Sequence, residues 1–143
     1  MIRRKTWKAL WTLLLAFLAL GCGDLTGPSH KLVPAFIFGF TQDDPQLVLE
    51  GQTKAVEVGL KTYGSSCRSK GEVRVSIKTK KRKIQLSPFD YRSTDSPCLD
   101  ILQVFDHSLR VDLEAGGRWT VLLVGRDVND SQVQFDFEVD IPN

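Results

Sequence analysis

Residue types that carry chemistry are scarce in this chain: its 143 residues hold three Cys, two His, one Met and two Tyr. A metal site needs more ligands than two cysteines, and neither His30 nor His107 stands at metal-motif spacing from Cys67 or Cys98, so the sequence implies no metal and no cofactor. Helical periodicity is missing too. Beyond residue 31 the turn signals recur too closely for a helix of ordinary length. No repeat and no second domain are visible. No apolar run reaches the roughly 20 residues of a membrane-spanning helix; the longest, Ala9 to Leu20, is interrupted by Thr12. The one dense cation cluster has no interleaved aromatics for base stacking, which argues against a nucleic-acid partner.

What is present begins with an address. Arg3, Arg4, Lys5 and Lys8 precede the apolar run, and together they make the charged and hydrophobic parts of a secretory signal. The run ends in Leu18-Ala19-Leu20-Gly21-Cys22, which resembles the lipobox of bacterial lipoproteins. That resemblance implies removal of residues 1–21, a diacylglyceryl group on the Cys22 thiol, and Cys22 as the new N-terminus. It implies a chain anchored to the cell-envelope membrane through lipid. An Asp directly after the cysteine would favour the inner membrane; Gly23 stands there, with Asp24 next, so the resemblance implies the periplasmic face of the outer membrane. An ordinary cleaved signal is the alternative, compatible with Ala19 and Gly21.

Removing the leader reverses the charge. It holds four of the 19 basic residues and none of the 17 acidic ones, leaving 15 against 17 in a mature chain of 122 residues, a formal charge of −2. That length suits one domain with a real core. Residues 22–31 are the lipidated cysteine and a Gly-, Pro-, Ser- and Thr-bearing stretch that reads as a flexible tether, and residues 32–143 are the folded domain.

Over that domain the dominant signal is alternation with a period of two. Val56, Val58 and Leu60 form one apolar face, as do Val73, Val75 and Ile77, and Leu109, Val111 and Leu113. Val133, Phe135, Phe137, Val139 and Ile141 oppose Gln134, Asp136, Glu138 and Asp140 in the last strand. Val121 through Val124 are apolar on both faces, which predicts a central strand, joined to the last by a hairpin through Asp127 to Ser131. Further strands are predicted at Val33–Phe40, Leu47–Leu49, Ile84–Leu86 and Leu99–Phe105. The expected fold is all-β, a single antiparallel sandwich of about seven to nine strands.

Leu47 to Leu60, LVLEGQTKAVEVGL, and Leu109 to Ile141, with AGGRWTVLLVG inside it, resemble immunoglobulin-like domains of the bacterial surface and periplasm. The resemblance implies an edge strand, glycine turn and core strand in the first stretch, the last three strands in the second, and Trp119 at the aromatic position. Neither cysteine falls in the two core strands that hold an antibody-type bridge. Such sandwiches carry many functions, so the resemblance implies no activity. A jelly roll or a small barrel is the other all-β arrangement open to this pattern.

With Cys22 lipidated, Cys67 and Cys98 remain as a pair, and an oxidising compartment predicts a disulfide between them. Asp106-His107-Ser108 contains triad residue types, but neighbours in a turn cannot face one another, so His107 is expected in a solvated turn between two strands. Asp127, Asn129 and Asp130 lack the spacing and the later Glu of a calcium loop, and they suit a hairpin turn. Asp90 and Asp95 are a paired-carboxylate option by sequence proximity alone, and Tyr91 beside them is a possible sugar platform or a packed loop side chain.

Charge is more informative. Residues 61–88 hold nine basic residues and one acidic, whereas residues 89–143 hold four basic and 11 acidic. Five cations, Lys78, Lys80, Lys81, Arg82 and Lys83, fall within six residues between two apolar alternations. They cannot be buried without partners, so they are expected in an exposed turn, either simply solvated or meeting an anionic surface. The expected function is non-enzymatic: a lipid-anchored binding or structural accessory protein of the cell envelope, with an envelope protein or an anionic polymer as partner. The alternative is a binder of a cell-wall polymer or an inhibitor of a cell-wall-degrading enzyme.

Overall fold

The structure, a computed structural model, describes residues 29–41, 46–50, 53–95 and 97–143. The leader, Cys22 and the tether up to residue 28 lie outside the described residues. Nine strands follow: β1 (His30–Pro34), β2 (Phe36–Phe40), β3 (Gln46–Glu50), β4 (Thr53–Gly64), β5 (Arg68–Lys78), β6 (Lys83–Ser93), β7 (Gln103–Leu113), β8 (Gly117–Arg126) and β9 (Gln132–Ile141). A single 3-10 turn, Thr79–Lys81, joins β5 to β6. The described residues are all-β, as their alternation predicts. β1 takes in His30 and Lys31, the last two residues of the expected tether.

Alternation places each strand. In β4 the side chains of Val56, Val58, Leu60 and Thr62 are buried while Glu57 and Lys61 face water, the half-buried pattern of a sheet with one wet side. β4 pairs antiparallel with β7 along its whole length, from Lys54↔Leu113 to Gly64↔Gln103, and on its other side with β3 and β2. β6 pairs antiparallel with β5 on one side and with β1 on the other. β8 and β9 form the expected hairpin, from Gly117↔Ile141 to Arg126↔Gln132.

Pairing is not antiparallel throughout, and that expectation is corrected. β8 runs parallel to β6 from Lys83↔Thr120 to Leu86↔Leu123, and β2 meets β8 in parallel at Phe36↔Arg126. β7 and the crossing that follows it separate β6 from β8 in the chain, so no tight turn forces them to oppose. The nine strands therefore make one mixed sheet. It curls until Val56, Val58 and Leu60 of β4 and Val111 and Leu113 of β7 share one core with Ile84 and Leu86 of β6, Trp119, Val121 and Leu123 of β8, and Ile141 of β9. Each fully buried aliphatic contributes roughly 1.5–3 kcal/mol. Trp119 fills the centre, and its indole N–H donates to the Ala115 carbonyl at 3.1 Å.

Several expectations for the strands change. Val33–Phe40 is two strands, broken at Ala35, whose N–H donates to the Pro88 carbonyl and whose carbonyl accepts from the Arg126 N–H, both at 3.0 Å. There the chain passes from the edge of β6 to β4 and β8. Leu99–Phe105 and Leu109–Leu113 are not two strands about a turn: β7 is continuous from Gln103 to Leu113, and His107 sits buried in its middle. Val75 and Ile77 are about half exposed, although they oppose buried Leu86 and Ile84, because β5 is an outer strand that pairs with β6 alone among the described residues.

Candidate functional site

The two ends of the curled sheet differ in chemistry. At one end Lys78 closes β5, Thr79–Lys81 makes the turn, and Arg82 takes a left-handed conformation, φ 46°, that lets its N–H donate to the Thr79 carbonyl at 3.0 Å. The Arg82 carbonyl accepts from the Thr120 N–H at 2.9 Å, so the turn is held against β8. Lys78, Lys80, Lys81 and Arg82 are exposed and Lys83 is half-buried. Among the described residues none of these five cations forms an ion pair. The Arg82 guanidinium lies over Gly117, where a Cβ would stand 2.6 Å from it, and Gly117 has φ 102°. A side chain at position 117 would therefore collide with one of the five cations.

At the opposite end the chain enters β1. Thr94 N–H donates to the Ser29 carbonyl at 3.2 Å, Ser93 N–H to the Cys67 carbonyl at 2.8 Å, and Cys67 is bridged to Cys98 with Cα atoms 5.1 Å apart, as expected. The Ser66 hydroxyl accepts from Leu99 N–H at 2.8 Å and donates to the Leu99 carbonyl at 3.4 Å. These bonds fix the segment after Cys98 against the start of the domain. Beside it Tyr63 contacts the rings of Phe36 and Phe38, at centroid distances of 5.7 and 4.2 Å. An apolar groove of about 250 Å³ runs past them, lined by Ile101, Leu102 and Val128 with Asp100 at its rim.

Inside this end lies a buried polar chain that the sequence reading did not find. Asp90 is fully buried and accepts from the Arg68 guanidinium at 3.4 Å, while Arg68 stacks on the Phe36 ring and donates to the Pro34 carbonyl. Thr62, also fully buried, stands 2.9 Å from His107 Nε2, and its hydroxyl lies close enough to Asp90 to favour the charged carboxylate. His107 Nε2 and the Thr62 hydroxyl share one hydrogen bond, whose direction the imidazole tautomer sets. Asp90 Oδ1 is buried without a partner among the described residues. Burial pushes the Asp90 carboxyl above its ordinary value, offset in part by the charge of Arg68 and by hydrogen bonds from Arg68 and Thr62. Burial lowers the His107 imidazole, helped by the charge of Lys70 and opposed by Asp106.

The structure corrects the turn expected at His107 and separates Asp90 from Asp95, which is exposed. A depression of about 910 Å³ opens beside His107 and is lined by Lys61, Lys70 and Asp106. The Thr62 hydroxyl next to the imidazole superficially offers a nucleophile and a base, but it is fully buried, so a substrate carbonyl cannot approach it. Asp127 Oδ1 accepts from the Asn129 and Ser131 N–H groups, each at 2.9 Å, which spends that carboxylate on closing the hairpin. Among the described residues no three His, Cys, Asp or Glu side chains gather as a metal site, and no helix is long and apolar enough to cross a membrane.

The chain matches no protein-family model, no curated protein and no solved structure.

Proposed function

We propose that this chain is a lipid-anchored, non-enzymatic binding or structural accessory protein of the cell envelope, held through Cys22 at the periplasmic face of the outer membrane. The observation that supports this reading is the direction of the basic tip. β6 runs from Lys83 at the tip to Ser93, which lies beside the chain's point of emergence at Ser29. Its rise of about 3.3 Å per residue puts the two ends roughly 33 Å apart. A tether leaving at Ser29 turns Lys78, Lys80, Lys81, Arg82 and Lys83 away from the anchoring membrane. Carboxylates of peptidoglycan or an acidic envelope protein are then better placed to meet them than the headgroups of that membrane.

The fold is read as a variant of the immunoglobulin-like sandwich. Support comes from the β4–β7 ladder facing the β8–β9 hairpin across Trp119; the parallel β6–β8 pairing departs from the usual arrangement. The second reading, an inhibitor of a cell-wall-degrading enzyme, is favoured by the same exposed tip.

The test changes Lys78, Lys80 and Lys81 to Ser and leaves Arg82, whose side chain packs over Gly117. Co-sedimentation with isolated peptidoglycan, and crosslinking in cells from position 80, should both fall while the melting temperature holds. Salt should weaken the parent and leave the variant unchanged. Undiminished binding at low salt would assign the tip to solvent alone.

A further inference from the structure

The end of the domain that faces the tether carries more exposed apolar surface than a wet sheet face requires. Phe38, Leu99, Ile101 and Leu102 are 52, 59, 55 and 64% exposed, and Val104 and Val128 stand open beside them. They form one surface. Tyr63 stacks on Phe38 and opposes Val104 across the β4–β7 ladder, while Ile101, Leu102 and Val128 line the groove that starts at Tyr63. Single exposed apolar residues are ordinary, whereas a contiguous set marks a surface that is covered in use.

Cations stand at the same end. Lys31 opposes Arg92 across β1 and β6, and Arg92 opposes Arg68 across β6 and β5, so three positive charges form one row. Like charges placed directly opposite destabilise a sheet unless a counter-charge neutralises them. Arg68 has Asp90; among the described residues Lys31 and Arg92 have no carboxylate partner. Apolar side chains beside unpaired cations are the composition of a surface that rests in the headgroup region of an anionic bilayer. Asp100, between Leu99 and Ile101, keeps such contact shallow.

The length of chain ahead of Ser29 selects the occupant. Seven residues, Cys22 to Pro28, separate the expected lipid from the first described residue and span at most about 25 Å. Ser29 is linked by hydrogen bonds and the disulfide, through Thr94, Ser93 and Cys67, to the segment that carries Leu99, Ile101 and Leu102. Whatever holds Cys22 therefore lies within reach of this surface. We infer that the apolar end of the domain docks on the anchoring bilayer itself, with Leu99, Ile101 and Leu102 in the interface and Lys31 and Arg92 at the lipid phosphates. The inference rests on the lipid-anchored reading. In this arrangement the lipid supplies the affinity and the apolar end supplies the orientation, so that the basic tip stands off the membrane.

The experiment uses the full-length gene and the lipidated product, reconstituted in vesicles of phosphatidylethanolamine and phosphatidylglycerol. It carries Leu102→Trp at a position exposed enough to tolerate the ring. The remaining background is Trp119, buried at 1% exposure, because Trp7 and Trp11 leave with the signal segment. Docking predicts a blue shift of the added indole emission and loss of its intensity when the lipids are brominated at a shallow acyl position. Both effects should disappear when Leu99 and Ile101 are also changed to Ser. Water-exposed emission with no bromine quenching overturns the inference. A blue shift without quenching, accompanied by crosslinks between copies, overturns it in favour of a second chain as occupant. Mass spectrometry of the N-terminus in the same sample separates the two levels. An unmodified Cys22 ends the anchored reading and the docking with it, whereas lipid on Cys22 with an unquenched indole ends the docking alone.

Discussion

Replacing both Cys67 and Cys98 with Ser isolates what the disulfide does. The bridge spans a sequence separation of 31 and encloses β5, the basic turn and β6. Closing a loop of that size lowers the entropy of the unfolded chain by about 12 cal/mol/K, or about 3.7 kcal/mol at 25 °C, in the chain-entropy model. The 115 residues from Ser29 to Asn143 carry an unfolding entropy of about 2.1 cal/mol/K each, so the melting temperature should fall by roughly 15 °C. The folded end has other fastenings: Ser66 holds Leu99 through three hydrogen bonds and Ser93 holds Cys67. Local geometry should therefore persist in the variant, and the loss should be global. Urea unfolding and amide exchange distinguish the cases. The expected result is a lower midpoint with a slope at least as steep, since the unbridged unfolded chain exposes more surface, and amides of β4 and β8 should lose protection together with those of β6. A loss below about 1 kcal/mol, or one confined to residues 94–102, would refute the entropic account.

Two more predictions concern the buried polar chain and the tip. His107 is held below its ordinary value of 6.5, so its contribution to stability is complete above that pH and is lost as pH falls from 6.5 toward the folded value. Asp90 is raised above 3.8, so its contribution is complete below that pH and is lost as pH rises through the folded value. His107→Gln should flatten the loss of stability on acidification below pH 6.5 in thermal unfolding followed by circular dichroism, and an unchanged slope would count against the buried imidazole. Gly117→Ala combines a positive φ with a clash against the Arg82 guanidinium and should cost roughly 1–3 kcal/mol; Gly117→Ala combined with Arg82→Gly should recover part of that in the same denaturation assay.

Much of the fold was written in alternation, and its failures have physical causes. Phe105, His107, Leu109, Val111 and Leu113 are one unbroken inward set. Reading His107 as polar cut that set in two, because a side chain that needs a buried partner looks, in sequence, like one that needs water. Thr62, the partner, lies 45 residues away. β6 was predicted too short for the same reason: Ile84 and Leu86 are followed on the inner face by Pro88 and Asp90, and neither announces burial. The parallel β6–β8 pairing was invisible because periodicity assigns a face to each strand and no neighbour. At the candidate site the exposure of Lys78, Lys80, Lys81 and Arg82 was legible from the density of charge, whereas Lys83, expected with them, is half-buried where β6 begins. The apolar end was not: Leu99, Ile101 and Leu102 read as strand residues because their exposure is decided by what the curled sheet leaves uncovered.

The break at Ala35 has a mechanical consequence. β1 lies antiparallel to the final stretch of β6, with His30↔Ser93 through Pro34↔Phe89 in register. A pull on the chain at Ser29, directed out of that end of the sheet, runs along the strand axis and strains all of those pairings at once instead of peeling them one by one. If the resisting load is applied at Lys83, where β6 begins, the line of force follows a single strand from tip to tether. The core between β4 and β8 is bypassed. Tension along this axis would then strip β1 from β6 only after loading that whole ladder in shear, and the Ala35 bonds to Pro88 and Arg126 would act as the stop that keeps β2 in place.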